Sequence, residues 1–280
     1  MTFTMEQYRA SERAVRERLG GSVVVLFQPA EEANPVGGAR PVVEAGFLTD
    51  QGIDEMYGLH MWPSLPVGDI ALRPGPIMAA SDRFQIEVRG AAAHAAEPHL
   101  GVDAIAIASE IVCALTQKLR REVDPFAPIS VSIGSFQTFG RYNVVCGRAV
   151  LEGTVRTTDE ETRTYLHRRI QEISAQTAAL YRGSAQAVIH KGYGILNNSP
   201  ELFRRFAGHA QSLLGPEHIH TDIGPSLIGE DFYYFSQTLP SLYFHMGCQS
   251  EHPLHNNCFL PREEVLGAAL DLMTSFFLAQ

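Results

Sequence analysis

The stretch RFQIEVRG, residues 83–90, alternates apolar and polar side chains, which is typical of a half-buried β-strand. Residues 101–123, GVDAIAIASEIVCALTQKLRREV, place apolar side chains three and four apart and end in basic residues, so they predict an amphipathic helix. The same reasoning predicts strands at residues 128–138 and 148–158, then a helix at residues 159–181 and a last strand at residues 184–193. This βαββαβ order predicts a ferredoxin-like domain over residues 82–194, an antiparallel sheet with both helices on one face.

The residues on both sides of this domain form a second α/β pattern. Residues 22–28 are a run of β-branched and other apolar side chains before a proline, and they predict a buried strand. Further helices and strands are predicted at residues 5–18, 39–48, 53–62, 199–214, 241–247 and 263–278. The predicted fold class is therefore α/β: a larger domain with a mixed sheet flanked by helices, made of residues 1–81 and 195–280, which the ferredoxin-like domain interrupts.

Composition excludes several classes of partner. The formal net charge of −9 argues against nucleic acid, because binding phosphates requires basic patches. No apolar run is long enough to span a membrane, and the charged first residues do not resemble a signal peptide. The four cysteines show no CxxC spacing, so we expect reduced thiols in a cytoplasmic protein.

The stretch VVVLFQPAEEANP, residues 23–35, presents two carboxylates, Glu31 and Glu32, directly after a predicted strand. In open α/β sheets the ligand crevice lies just beyond the carboxyl ends of the strands. Adjacent acids repel one another there, so they require a cation or a shared proton. The alternative is a solvated loop that happens to contain two glutamates.

Two other predicted strands of the larger domain also end in side chains that bind metals. His60 lies at the end of residues 53–62, and His252 and His255 lie in the loop after residues 241–247. Glutamate and histidine together suit zinc, manganese or cobalt, because these ions accept carboxylate oxygen and imidazole nitrogen as ligands. The alternatives are a core histidine at position 60 and a loop histidine at position 255, and the spacing alone does not decide between them.

Several motifs occur in an order typical of one enzyme family: FQPAEE, GLHMWP, RPGPIMAASDRF, EGTVRT, GEDF and PLH. Together they resemble the amidohydrolases that cleave N-acyl amino acids, such as hippurate hydrolase and indole-acetyl-amino-acid hydrolase. These enzymes belong to the co-catalytic metal aminoacylase and carboxypeptidase superfamily, metallopeptidase family M20. The resemblance implies metal-dependent hydrolysis of an amide, which releases an amino acid and a carboxylic acid. It is more specific for the family than for any one substrate.

The resemblance also implies roles for the acids and histidines. Glu31 matches the family's general base and Glu32 a metal ligand, while His60 and His255 match further ligands, one for each of two metal ions. Zinc, manganese or cobalt would be the cofactor. The chemistry agrees, because water bound to a metal is acidified and a free carboxylate beside it can take its proton.

The inserted domain resembles the family's lid and dimerisation domain, which implies a homodimer formed through residues 82–194. His94 matches a histidine that reaches into the partner's active site and polarises the scissile carbonyl. Its alternative is a turn histidine. Asn143 matches an asparagine that contacts substrate, and its alternative is also a turn residue.

Two further charged positions are candidates for substrate binding. Arg156 is either a group that grips a substrate carboxylate through paired hydrogen bonds or an exposed charge at the end of a strand. Glu230 and Asp231, in the motif GEDF, are expected near the substrate or as braces for a ligand histidine.

One family motif, Cys-Gly-His-Asp-Gly-His, has no counterpart in this sequence, and the resemblance would place it upstream of Met1. A truncated reading frame, a short homologue that no longer catalyses and a separate polypeptide that supplies the motif are all open explanations. The survival of the other motif residues favours truncation. We therefore predict an enzyme that hydrolyses hippurate-like N-acyl amino acids, and the alternative is a catalytically impaired homologue that dimerises or binds ligand.

Overall fold

The computed structural model describes residues 18–33 and 36–280. Its strands are β1 (Met56–Trp62), β2 (Ile70–Ala71), β3 (Gly75–Met78), β4 (Ala80–Arg89), β5 (Ala93–His94), β6 (Ile129–Thr138), β7 (Val144–Val145), β8 (Arg148–Thr157), β9 (Ser184–His190), β10 (Leu196–Asn198), β11 (Ile219–His220) and β12 (Ser241–Gly247). Its α-helices are α1 (Ala39–Glu44), α2 (Phe47–Asp50), α3 (Ala104–Glu122), α4 (Glu160–Leu180), α5 (Pro200–Leu214), α6 (Tyr233–Ser236) and α7 (Glu264–Leu278).

The first sheet is mixed and has the strand order β1-β12-β2-β11. β1 runs parallel to β12, β12 runs antiparallel to β2, and β2 runs parallel to β11. Helix α5 begins after Ser199, whose side chain accepts the N–H of Leu202, and it buries Phe206 and Ala210 on one stripe. Together with α7 it covers one face of this sheet, where Phe244 and Phe276 complete the core.

The other face of the first sheet packs against short helices and loops. Tyr243 of β12 contacts Phe232 at the start of α6, and Leu48 and Ile77 belong to the same apolar cluster. Even-numbered residues of β1 and odd-numbered residues of β12 point to this face, because side chains alternate along a strand. His60 therefore lies on the same face as Tyr243.

The second sheet is antiparallel with the strand order β6-β8-β4-β9, and helices α3 and α4 pack on it. The side chains of Asp103 and Asp159 cap the two helices by accepting N–H groups of their first turns. The core between helices and sheet is apolar and includes Phe84, Ile111 and Leu166.

The chain passes between the two sheets at the start of β4 and after β9, and a buried charge cluster joins these two crossings. Asp82 accepts hydrogen bonds from Arg163 at 2.7 Å, from the ring of His167 at 2.7 Å and from the N–H of Gly192 at 2.9 Å. Both members of the ion pair are buried. The cluster fixes α4 against the point where residues 82–194 begin and end.

The predicted mixed α/β fold is confirmed by these sheets and helices, but the strand predicted at residues 22–28 is wrong. These residues form no strand, and Val25 and Phe27 are 69% and 90% exposed. A strand requires a partner for its N–H and C=O groups. Within the described residues β1 pairs only with β12, and residues 22–28 do not join its free edge. The helix prediction for residues 5–18 falls outside the part of the chain that the structure describes.

Candidate active site

The two adjacent glutamates lie in a tight loop that ends at helix α1. The loop enters this helix through Gly37 and Gly38, and Gly37 has a φ of +63°, which is a left-handed conformation that favours glycine. A Cβ at Gly38 would lie 1.7 Å from the carbonyl oxygen of Pro29, so the chain approaches itself too closely there for any other residue. The loop therefore holds Glu31 and Glu32 in a compact turn.

Glu31 is half-buried and carries an unusual charge environment. Burial, followed by the negative charges of Glu230, Glu32 and Asp231, raises the pKa of Glu31 to about 7. The hydroxyl of Tyr193 donates to the backbone carbonyl of Glu31 at 2.8 Å. A carboxyl whose pKa lies near neutrality is suited to take and return a proton.

Glu230 is buried beside Glu31 and is held by the first sheet. Its side chain accepts the hydroxyl of Tyr243 at 2.6 Å and the N–H of Phe232 at 3.2 Å. Burial raises the pKa of Glu230, although the hydrogen bond from Tyr243 opposes this. Glu31 and Glu230 thus form a pair of protonatable carboxyls, as two close acids in a poorly solvated place cannot easily ionise together.

Asp231 completes this acidic group but has a different environment. One ligand atom each from Glu31, Glu230 and Asp231 lie within 4.8 Å of one another, and no other group of three potential metal ligands is this compact in residues 18–33 and 36–280. Asp231 is fully buried and accepts N–H groups from Gln28 and from the backbone at the start of α1.

The fold brings Glu32 and His255 together although they are far apart in the sequence. Glu32 Oε1 and His255 Nδ1 are 3.8 Å apart, and both side chains are exposed. Two donors of one zinc ion lie about 3–4 Å apart, because each bond is about 2.0–2.2 Å long. The pair therefore fits a divalent cation by donor type and by spacing.

His60 lies at the carboxyl end of β1. Its Nδ1–H donates to the carbonyl of Met61 at 2.8 Å, so Nε2 carries the lone pair that could bind a metal ion. The neighbouring residue on β12 is His245, whose buried ring stacks on Trp62 with 3.8 Å between ring centroids. Within the described chain His60 joins neither Glu32 nor His255 in a compact group of three donors.

His94 and Asn143 meet where β5 pairs with β7. The N–H of Ala95 donates to the carbonyl of Asn143 at 3.1 Å, and the N–H of Ala96 donates to His94 Nδ1 at 3.1 Å. Because Nδ1 accepts this hydrogen bond, the ring of the exposed His94 carries its hydrogen on Nε2. Tyr142 beside them is wholly exposed.

Arg156 connects the second sheet to the loop that precedes Glu230. Its Nη1 donates to the carbonyl of Leu227 at 3.0 Å, and the N–H of Ala79 donates to Ile228 in the same loop. Arg156 is therefore not simply an exposed charge at the end of a strand. One of its N–H groups is already used, so only the rest of the guanidinium is available to bind a ligand.

The motif residues were visible in the sequence, but the side chains that hold them were not. Tyr193 and Tyr243 lie outside the motifs that indicated a site. Gln28 lies within the motif FQPAEE, but its partner Asp231 is 203 residues away, so the motif did not reveal the contact. The GlyGly pair at residues 37–38 was the one available sign of a tight turn before α1.

The four cysteines all lie in the described part of the chain and are free. Among the helices that the structure describes, none combines the length and the hydropathy that crossing a bilayer demands.

Comparison with known proteins places this geometry in context. The family model described as peptidase family M20/M25/M40 matches residues 7–279. The uncharacterized hydrolase y4tI of Sinorhizobium fredii is 36% identical over 266 residues, which are 94% of this chain and 65% of that protein. The N-acetyl-L-cysteine deacetylase of Bacillus subtilis is 36% identical over 265 residues, 94% of this chain and 60% of the deacetylase.

The crystal structure of a dinuclear metal-binding peptidase from the M20 family of Bacillus subtilis superposes with a TM-score of 0.79 at 29% identity. The match covers 98% of this chain and 68% of that one. The chain spans 65%, 59% and 60% of the length of three of the curated relatives that it matches, which is less than two thirds of each.

Proposed function

The chain belongs to peptidase family M20/M25/M40, and from this we propose that it is a metal-dependent hydrolase of linear amides that cleaves N-acyl amino acids. One observation carries the proposal: the adjacent residues Glu31 and Glu32 are placed for two different tasks. Glu31 is half-buried against Glu230 with its pKa raised to about 7, whereas Glu32 is exposed and faces His255. A hydrolytic site of this kind requires one carboxylate for the proton and another for the cation.

Glu32 and His255 would hold one divalent cation, and His60 would contribute its free Nε2 to a second. A bound cation of this kind acidifies a water molecule and polarises the amide carbonyl. Glu31 takes the proton of the attacking water on its carboxylate and then delivers it to the nitrogen of the leaving amine. Burial, together with the negative charge of Glu230, which Tyr243 holds in place, maintains the high pKa of Glu31.

The proposed substrates are amino acids with a short or aromatic acyl group, from N-acetyl amino acids to hippurate. The name of the Bacillus subtilis deacetylase supports the N-acetyl class, because that protein is 36% identical to this chain. Hippurate belongs to the same class of N-acyl amino acids, because it is glycine whose nitrogen carries a benzoyl group. The free N–H groups of Arg156 would bind the substrate carboxylate.

Residues 82–194 are proposed as a ferredoxin-like lid and dimerisation domain, inserted into the catalytic domain of residues 1–81 and 195–280. The edge strands β6 and β9 of its sheet support this, because an unpaired edge is a template for pairing with a second copy. In the dimer, His94 would present its Nε2–H to a carbonyl in the partner's cleft, with Asn143 beside it.

A second candidate function is a ligand-binding homologue with little catalysis. It is favoured by the small number of donors around any one ion, because Glu32 and His255 form only a pair in the described chain. Catalytic zinc sites normally have three protein ligands.

Hydrolysis and metal content together separate these functions. The chain would be assayed with hippurate and N-acetyl amino acids in excess zinc, manganese and cobalt, and its bound metal measured. Glu31→Gln is expected to abolish turnover and leave metal content unchanged, and Glu32→Gln to lower metal content. Glu110→Gln, an exposed glutamate of α3, is the control and should change neither.

Metal binding without turnover in the unmodified chain would favour the second candidate. Loss of metal in Glu31→Gln but not in Glu32→Gln would mean that the two roles are exchanged.

A further inference from the structure

The loop that carries the two glutamates, residues 28–33 and 36–39, is named here the acid loop, and one side chain contacts both of its ends. At the first end, Gln28 Nε2 donates to both carboxylate oxygens of Asp231, at 2.7 and 2.8 Å. At the second end, the N–H groups of Gly38 and Ala39 donate to Asp231 Oδ2, at 2.7 and 2.9 Å. Asp231 is fully buried.

These contacts decide what Asp231 does within the acidic group. Three of the four contacts, one each from Gln28, Gly38 and Ala39, fall on Asp231 Oδ2, and Gln28 also contacts Oδ1. An ionised carboxylate offers about four lone-pair positions, so these N–H groups engage most of its capacity to accept hydrogen bonds. The role of Asp231 therefore lies in the N–H groups that it accepts.

The backbone around Asp231 is shaped for this close approach. A Cβ at Gly37 would lie 2.3 Å from Asp231 Oδ2, and a Cβ at Gly38 would lie 1.7 Å from the carbonyl oxygen of Pro29. Hydrogen bonds to an ionised acceptor are shorter and stronger than those between neutral groups. The glycines let the acid loop close on the carboxylate, and the carboxylate holds it closed.

We propose that Asp231 is a positioning residue that clamps both ends of the acid loop and thereby places Glu31 against Glu230 and Glu32 against His255. The roles of Glu31 and Glu32 in this inference rest on the proposed function. In this role Asp231 acts through the acid loop and not through contact with the cation or the substrate.

The clamp has a clear physical benefit. A loop that carries adjacent acids tends to open, because the carboxylates repel one another and gain hydration when they separate. Joining its two ends through one buried group restricts it before any cation binds. A site that is placed in advance loses less conformational freedom on binding and therefore binds more tightly.

The test uses three variants and two measurements on the full chain. Asp231→Ala removes every acceptor. Asp231→Asn keeps one oxygen for the backbone N–H groups, and its Nδ2 can donate to Oε1 of Gln28 once that amide rotates. Asp222→Asn changes an exposed aspartate in the preceding loop and is the control. Amide hydrogen exchange at Gly38 and Ala39 reports the clamp, and calorimetric titration with zinc reports the placement of the ligands.

In Asp231→Ala, exchange at Gly38 and Ala39 is expected to rise at least tenfold, while amides in β12 keep their protection. Zinc affinity is expected to fall about 10-fold to 100-fold, the usual effect of losing a group that orients a metal ligand. Asp231→Asn should recover most of both losses, and Asp222→Asn should match the unmodified chain. If Asp231→Ala does not fold, Gln28→Ala removes one end of the clamp alone and should lower zinc affinity in the same direction.

Unchanged exchange at Gly38 and Ala39 in Asp231→Ala would overturn the clamp. Faster exchange with unchanged zinc affinity would overturn the positioning role. An unmodified chain that binds no zinc would contradict the proposed function. The exchange rates at Gly38 and Ala39 would then still show whether Asp231 clamps the acid loop.

Discussion

Replacing Asp82 with alanine should destabilise the protein strongly, because it breaks the buried ion pair at the chain crossings. The side chains of Asp82 and Arg163 are 1% and 6% exposed, and two hydrogen bonds of 2.7 Å join them. In Asp82→Ala the guanidinium keeps the contact with Glu160 at 3.1 Å as its one remaining hydrogen bond to the described residues, and the bonds from His167 and Gly192 are lost as well. Removing one partner of a buried pair costs about 3–5 kcal/mol of unfolding free energy.

The expected shift in Tm follows from the size of the chain. An unfolding entropy of about 2.1 cal/mol/K per residue over 280 residues is about 0.6 kcal/mol/K, so Tm should fall by about 5–8 °C. Thermal denaturation followed by circular dichroism at pH 7 measures it. The matched control is Arg168→Ala on the same helix, because Arg168 is 62% exposed and lies 3.8 Å from Glu172. Exposed pairs of this kind contribute about 0–1 kcal/mol.

The pH dependence gives this prediction a second check. Burial alone would raise the pKa of the Asp82 carboxyl, but hydrogen bonds from Arg163 and His167 outweigh it and hold the pKa well below its usual range. A carboxyl with a lowered folded pKa contributes stability that is present above its unfolded pKa, about 3.9, and is lost as the pH falls through its folded pKa. The difference in Tm between the unmodified chain and Asp82→Ala should therefore narrow below about pH 4. A Tm for Asp82→Ala no lower than that of Arg168→Ala at pH 7 would refute the reasoning.

Three further predictions concern the acid loop, a surface histidine and assembly. Gly38→Ala should weaken zinc binding by at least about tenfold in a calorimetric titration, because the added Cβ would lie 1.7 Å from a backbone carbonyl oxygen and displace the loop. The control is Gly208→Ala in α5, where a Cβ meets open space, and it should leave zinc binding unchanged. His218→Gln should lower Tm more at pH 6 than at pH 9, because the hydrogen bond with Asp69 raises the pKa of His218. A group with a raised folded pKa contributes stability that is present below its unfolded pKa and is lost as the pH rises through its folded pKa. Equal Tm losses at both pH values would contradict it. Light scattering at micromolar concentration should give twice the chain mass of 30.8 kDa if residues 82–194 form the proposed dimer, and a mass of 30.8 kDa would count against the partner role of the lid.

Local sequence patterns were sufficient to predict the helices and strands whose buried face follows from their own periodicity. Helix α3 buries Ile107, Ile111 and Leu115 at spacings of four, and an amphipathic helix was predicted there because one face is apolar whatever covers it. The strands of the second sheet alternate in the same self-contained way. The identities of Glu31, Glu32, His60 and His255 as candidate site residues likewise came from motifs within short stretches.

Other features of the protein depend on contacts between residues that are distant in the sequence, so only the tertiary structure could decide them. Residues 22–28 have the composition of a buried strand, yet pairing depends on a neighbouring strand that composition does not specify. The sequence placed Asp231 in a motif near the substrate, but only the folded chain shows that its carboxylate accepts the N–H groups of Gln28, Gly38 and Ala39. A side chain's chemistry is set locally, whereas its partners are set by the fold, and the partners determine whether a buried carboxylate binds an ion, holds a proton or clamps a loop.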